Sequence, residues 1–176
     1  MEELIKRAQK GDKEAFTEAI LLIKNELFDF AYVKVNDVDD ANDLVQETML
    51  HAFKSIKTLK EVKYFKTWIT KILINECNQY FKRKKHNHDK ISKEINNTID
   101  WCIDNVENKL DIESIYNSII GNLKPIEQNI IILYYGNKYT RKEIAEILNM
   151  KEETVKTKLR RIKIKIEKMR NSGREE

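Results

Sequence analysis

The sequence predicts an all-α protein: two small helical domains joined by a flexible linker. Three observations carry that prediction. Apolar residues recur at alternating spacings of 3 and 4 over most of the chain, the pattern of helices that bury one face. With 4 Gly and 1 Pro in 176 residues, there is too little turn chemistry for a many-stranded sandwich or barrel. Residues 87–108 lose the periodicity and are dominated by Asn, Asp and Lys, which marks a linker between a first domain at 1–86 and a second at 109–176.

The elements follow in order. Gly11 and Asp12 read as a helix stop followed by an N-cap. Phe16, Ile20, Ile23, Leu27 and Phe30 then form one stripe, predicting a single long helix. Asn36, Asp37, Val38, Asp39 and Asp40 interrupt it. A second helix carries Ala41, Leu44, Val45, Thr48, Ala52, Phe53 and Ile56 on one side, and a third spans 62–85 with Phe65, Trp68, Ile69, Ile72, Leu73, Tyr80 and Phe81 as its apolar face. Stripes of this length bury against each other, so the first 85 or so residues predict a helical bundle. The linker is expected to hold at most a short helical piece at 99–106; extended, its ~20 residues reach roughly 65–70 Å.

Pro125 suits the first position of a helix that continues through Ile126, Ile130, Leu133 and Tyr134 and ends at Gly136 and Asn137. Thr140 followed by Glu143 is a capping box opening a short helix with Ile144, Ala145 and Leu148. After Asn149 and Met150, a long helix carries Val155, Leu159, Ile162, Ile166 and Met169. A short helix, a tight turn and a longer basic helix make a helix-turn-helix pattern.

Charge narrows the function. The formal net charge of +4 hides blocks: residues 1–60 carry net −3, 61–93 net +6, 94–123 net −5 and 124–176 net +6. Two basic blocks separated by an acidic one predict two anion-attracting surfaces, suited to a polyanion touched at two places. No stretch has the length and apolarity of a membrane span and no signal peptide opens the chain, so a cytoplasmic protein is expected. Two cysteines, Cys77 and Cys102, fit a reducing compartment and make no disulfide framework.

The last helix carries nine basic residues between positions 151 and 170 against three acidic ones. With its stripe docked inward, Glu153, Thr154, Lys156, Thr157 and Arg160 face outward, a set suited to phosphates and base edges in a major groove. The third helix interleaves aromatics with Asn75, Asn78, Gln79 and then Lys82, Arg83, Lys84 and Lys85. Amides read base edges, rings stack on unpaired bases and the basic run grips phosphate. Asp39, Asp40 and Asp43 match a D-D-x-x-D magnesium–diphosphate pattern, but no second acidic motif accompanies it, and acids at a helix N-terminus answer the helix dipole. His86, His88 and Cys102 lack a fourth zinc ligand at convincing spacing. No cofactor is expected, and no nucleophile–base pair or phosphate loop is present; the sequence predicts no enzyme.

Three of these segments resemble a known family in order and spacing. Asp37, Val38, Asp39, Asp40, Ala41, Asn42, Asp43, Leu44, Val45, Gln46, Glu47 and Thr48, followed by Phe53, resemble the core-polymerase-binding signature of bacterial sigma factors. Phe65, Lys66, Thr67, Trp68, Ile69, Thr70, Lys71, Ile72, Leu73, Ile74 and Asn75, running into the basic 82–85, resemble the promoter-melting segment. Glu143, Ile144 and Ala145 with Glu153, Thr154, Val155, Lys156, Arg160 and Arg161 resemble the −35-reading helix-turn-helix. The arrangement is similar to that of extracytoplasmic-function (group 4) sigma-70 factors. Glu153 stands where many relatives carry a small residue, and Lys151 where a Ser or Thr often caps the helix.

The resemblance implies a promoter-specificity subunit of RNA polymerase with a sigma-2-like domain at 1–86, an acidic linker at 87–108 and a sigma-4-like domain at 109–176. It implies that Asp43, Gln46 and Glu47 meet the β′ clamp helices of core RNA polymerase and that the C-terminal domain meets the β flap. Asn75, Gln79, Lys82 and Arg83 would engage the melted −10 strand of promoter DNA, and the loop at 60–64 would hold a flipped base. Glu153, Thr154, Lys156, Thr157, Arg160 and Arg161 would read the −35 element. An anti-sigma partner, often membrane-anchored and able to hold the protein at the inner face of the membrane, and a stress response are also implied. The competing expectation is a stand-alone helix-turn-helix regulator with a sensing or dimerisation bundle, which would bind duplex DNA by itself.

Overall fold

The computed structural model of the protein describes residues 1–88 and 120–172. These form eight α-helices: α1 (Glu2–Gln9), α2 (Lys13–Leu21), α3 (Lys24–Val35), α4 (Val38–Ser55), α5 (Phe65–His88), α6 (Pro125–Ile131), α7 (Arg141–Ile147) and α8 (Glu152–Ser172). Short 3₁₀ turns at Ile56–Thr58 and Val62–Tyr64 join α4 to α5, another at Ile120–Asn122 precedes α6, and a π turn at Ile132–Gly136 follows it. There is no strand among the described residues. Most of the linker expected at 87–108, including its helical piece at 99–106, lies outside them; Asn87 and His88 are the end of α5.

The local signals act as their chemistry dictates. Asp12 caps α2 by accepting from the amide of Ala15 at 3.0 Å, and Asp37 caps α4 through the amide of Asp40 at 2.9 Å. Thr140 and Glu143 close a reciprocal box: the amide of Glu143 donates to Thr140 Oγ1 at 3.2 Å and the amide of Thr140 to Glu143 Oε2 at 2.8 Å. Asn36 and Asn149 take left-handed conformations at φ 53° and 52°, ending α3 and forming the turn between α7 and α8. Pro125 is the first residue of α6.

The expected single helix carrying Phe16 to Phe30 is instead two helices. The chain leaves helical geometry at Ile23, whose amide bonds back to Ile20 O at 2.9 Å in a tight turn. No Gly or Pro marks the place. The stripe itself survives the break, because Phe16, Ile20, Ile23, Leu27 and Phe30 are all buried, while Leu21 and Leu22 at the bend point outward. Tertiary packing has overridden a sequence of good helix formers here. A second departure is Phe81, placed by periodicity on the apolar face of α5 but 40% exposed, with Lys34 Nζ 5.6 Å from its ring centroid.

One apolar core runs through both halves. Phe30, Leu44, Phe65, Ile69 and Leu73 fill the N-terminal bundle; Ile130, Leu133, Ile144, Val155 and Ile162 fill the C-terminal part. Each such side chain contributes about 1.5–3 kcal/mol by leaving water. The halves meet along a seam that the sequence reading did not anticipate. Tyr139 is buried against α5, its hydroxyl 2.8 Å from Thr70 Oγ1. Asn137 Nδ2 donates to Glu26 O at 2.9 Å, and Lys34 Nζ donates to Gln128 Oε1 at 2.8 Å.

Candidate nucleic-acid interface

Helices α4 and α5 pack along their length, and this packing organises the first candidate surface. On α4, Ala41, Leu44, Val45, Thr48 and Ala52 are buried. That leaves Asp43 and Gln46 exposed and Glu47 half-buried on the outer side. Buried Thr48 satisfies its hydroxyl by donating to Leu44 O at 2.7 Å within its own helix. Leu50, one turn beyond Gln46 and Glu47, is 59% exposed and gives the polar face an apolar neighbour. Sequence reasoning missed Leu50; its position at i+4 from Gln46 and off the stripe was the available signal.

On α5, burial of Leu73, Ile74, Glu76 and Cys77 turns Asn75, Gln79 and Lys82 outward. Their spacing of 4 and 3 sets them in one row along the helix. Burial pushes the Cys77 thiol up to about 12, so it remains a neutral thiol at physiological pH. Glu76 is 3% exposed and is met from α4 by His51, whose Nδ1 lies 2.7 Å from Glu76 Oε1. Neither residue was singled out from the sequence, where nothing in local spacing links positions 25 apart.

The acidic start of α4 and the basic end of α5 come together. Tyr80 donates its hydroxyl to the Asp40 carboxylate, and Lys84 Nζ donates to Tyr80 Oη at 2.8 Å while lying 3.8 Å from Asp40. Burial, followed by this bond to Asp40, raises the Tyr80 hydroxyl well above the usual phenol range. Asp40 is thereby engaged by a hydroxyl and a cation. Among the described residues no group of three or more His, Cys, Asp or Glu could hold a metal. Arg83 lies 3.4 Å from Glu47, so the expected polymerase-binding and −10 sets share an ion pair. The side chains of His86 and His88, and Cys102 altogether, lie outside the described set.

The loop between α4 and α5 exposes Lys60, Glu61, Lys63 and Tyr64. Lys63 Nζ stands 4.8 Å from the Tyr64 ring centroid and 2.9 Å from Glu61. Trp68, by contrast, is half-buried beside Phe65, ring centroids 6.0 Å apart, and packs against the core.

The second surface lies on α8. Val155 and Ile162 are buried against α6 and α7. Glu153, Lys156, Arg160 and Arg161 are exposed, with Thr154 and Thr157 half-exposed beside them. Lys151 holds the cap position before α8, where its carbonyl accepts from the amides of Thr154 and Val155 at 2.9 and 3.2 Å. Glu153 is an exposed acid within this basic set, 3.5 Å from Lys156. No hydrogen bond or ion pair among the described residues joins the α8 set to Asp43, Gln46, Glu47 or the α5 row.

Both regions of the chain match a known family. Family models for Sigma-70 region 2 and Sigma-70 region 4 match residues 22–87 and 115–166, in that order. The chain is 25% identical to the ECF RNA polymerase sigma factor SigW of Bacillus subtilis over 89% of both chains. It is 28% identical to the ECF RNA polymerase sigma-E factor of Haemophilus influenzae over 93% of this chain and 92% of that one. In fold it is similar to CnrH, solved in complex with the cytosolic domain of CnrY, with a TM-score of 0.77 at 16% identity over 97% of both chains. It is likewise similar to the sigma factor RpoE of Bartonella quintana, solved with the anti-sigma factor NepR, with a TM-score of 0.72 at 23% identity over 89% of this chain and 96% of that one.

Proposed function

The chain belongs to the sigma-70 family, as an extracytoplasmic-function RNA polymerase sigma factor, and from that premise we propose how its surfaces divide the work. A sigma factor directs promoter-specific transcription initiation by core RNA polymerase and is not itself an enzyme. Asp43, Gln46 and Glu47 on α4 bind the β′ clamp helices, where an acidic and polar face complements a basic one. Asn75, Gln79, Lys82 and Arg83 hold the melted −10 strand, and the 60–64 loop captures an extruded base. Glu153, Thr154, Lys156, Thr157, Arg160 and Arg161 read the −35 element in duplex form, while the C-terminal half meets the β flap.

The observation that carries this reading is the α4–α5 pair: a polar face and a row of amides and cations on one packed unit, preceding a separate helix-turn-helix. A stand-alone regulator gives the α4 face no use.

Both elements cannot be engaged with the seam closed. Elements centred near −10 and −35 are about 25 base pairs apart, roughly 85 Å along B-DNA. A compact chain of 176 residues has a radius of gyration of only about 16 Å. The two halves therefore part on the polymerase, breaking the hydrogen bonds of Tyr139, Asn137 and Lys34, with the acidic linker spanning the gap through channels that otherwise carry nucleic acid.

An anti-sigma protein is the proposed regulator, by likeness to relatives solved with such partners. No described helix is long and apolar enough to cross a membrane. We place the protein in the cytoplasm, where a membrane-anchored anti-sigma factor would hold it at the inner face until a stress signal arrives. Co-elution with bacterial core polymerase tests the division of labour. Asp43→Ala with Glu47→Ala should weaken binding to core, and Lys156→Ala with Arg160→Ala should leave it intact; the reverse pattern would overturn the assignment.

A further inference from the structure

Helices α1 and α2 lie outside both family-matched segments, yet α1 reaches the loop between α4 and α5. Its last residue, Gln9, is half-buried, and its side-chain amide donates twice: to Ile56 O at 3.1 Å and to Leu59 O at 2.7 Å. Ile56 opens the 3₁₀ turn that follows α4 and Leu59 is the residue just after it, where helix carbonyls run out of intrahelical partners. Ile56 O also accepts from the Leu59 amide at 3.2 Å, whereas Leu59 O is met by Gln9. Apolar anchors flank the clasp, with Ile5 and Ala8 of α1 buried, and Ile56 and Leu59 buried in the turn.

Immediately after Leu59 the chain emerges as Lys60, Glu61, Val62, Lys63 and Tyr64. Tyr64 is 41% exposed, and two lysines belong to the same loop. An exposed ring accompanied by cations suits a base and its phosphate, but only if the loop's departure point is held still. Within the loop, Lys63 pairs with Glu61 at 2.9 Å and the Tyr64 amide donates to Glu61 O at 3.0 Å. Both bonds tie the loop only to itself. Gln9 ties its departure point to another helix.

We propose that Gln9 is a positioning residue for base capture: its two hydrogen bonds lock the exit of α4, so that the 60–64 loop presents Lys60 and Tyr64 in one geometry. The inference rests on the base-capturing role proposed above for that loop. A side chain with two donors is what the site uses. Methionine has the length without a donor, whereas a lysine ammonium offers three donors on a similar stem.

The test uses the chain assembled with core polymerase and single-stranded non-template −10 oligonucleotides, intact or made abasic at one position at a time. The intact protein should show a pronounced affinity drop at one position, which Tyr64→Ala abolishes. Gln9→Met should reduce that selectivity roughly five- to tenfold, as expected for loss of two hydrogen bonds, while Gln9→Lys keeps it and core binding and −35 duplex binding stay unchanged. Amide hydrogen exchange at 57–64 should accelerate in Gln9→Met and not in Gln9→Lys. Retained selectivity in Gln9→Met alongside its loss in Tyr64→Ala would overturn the role of Gln9 alone. Unaltered exchange, or equal losses in Gln9→Met and Gln9→Lys, would overturn the clasp. Intact selectivity in Tyr64→Ala would remove the base-capturing reading of the loop, and this inference with it.

Discussion

On α5, Arg83 lies 3.4 Å from Glu47 and Lys84 3.8 Å from Asp40, so two of its four consecutive cations face acids of α4. On α8, Lys158, Arg160 and Arg161 have no ion-pair partner among the described residues, and Lys156 has only Glu153, one turn away on its own helix. Both helices are basic, but they hold their charge differently. Exposed pairs like those of α5 contribute only about 0–1 kcal/mol each, so their importance is geometric. They orient Arg83 and Lys84 against the helix proposed to bind polymerase. Among the described residues Lys156, Lys158, Arg160 and Arg161 meet no acid of another helix, whereas Lys165, further along α8, lies 3.7 Å from Glu127 of α6. The four are the cations proposed to meet phosphate and base edges.

The largest effect should come from α8. Lys156→Ala with Arg160→Ala should weaken −35 duplex binding by about 1–3 kcal/mol for each base edge no longer read. The salt dependence should also become shallower, since each phosphate left without its cation lowers the slope by about one. Anisotropy titrations of the holoenzyme at several salt concentrations measure both. An unchanged salt slope and an unchanged affinity would show that these cations touch neither phosphate nor base.

Lys34 sharpens the comparison as a third kind of cation, paired with neither an acid nor DNA. It is buried in the seam against Gln128 and the Phe81 ring, and burial lowers it to about 8 from 10.5. The penalty for its charge is full below pH 8. It is relieved as pH rises from 8 to 10.5, because over that window the unfolded chain binds the proton the folded chain has released. The Lys34 contribution should therefore rise across this window by up to about 3 kcal/mol at ~1.4 kcal/mol per pH unit. Above pH 9 the buried Cys77 thiol, raised to about 12, acts in the opposite direction, so the net rise is expected between pH 8 and 9. Lys34→Met should flatten that rise in urea titrations at stepped pH. A slope unchanged in the variant would assign the effect to another group.

The smallest effect probes the shared pair directly. Glu47→Ala should release Arg83 and change binding of a single-stranded −10 oligonucleotide by no more than about 1 kcal/mol. A double-mutant cycle of Glu47→Ala and Arg83→Ala, read on core binding and on −10 binding separately, should give a coupling energy in both. Strict additivity would show that the two surfaces act independently despite their ion pair.

Much of the fold was legible because it rests on local chemistry. Asp12, Asp37 and Thr140 cap their helices by bonds to residues three positions away, and Asn36 and Asn149 adopt the left-handed conformation their side chains tolerate. The apolar stripes and the outward rows of α5 and α8 follow from helical periodicity. What escaped sequence reading is tertiary. The bend at Ile23 has no Gly or Pro to announce it, and Phe81 satisfies the period yet finds no core to enter. Tyr139 meets Thr70 from 69 residues away, and Gln9 reaches Leu59 from 50; polar bonds of that range leave no periodic trace. The exposure of the proposed site residues was readable as helix faces, while the link between faces, Glu47 to Arg83, depended on the register of α4 against α5.

The most direct test of the central claim is transcription of a fragmented genomic DNA library by bacterial core polymerase, with and without this protein, followed by sequencing of the start sites. The account predicts stoichiometric association with core and new start sites that share two spaced upstream elements absent from core-only reactions. Failure to associate with core, together with tight binding to duplex sites by the protein alone, would contradict it.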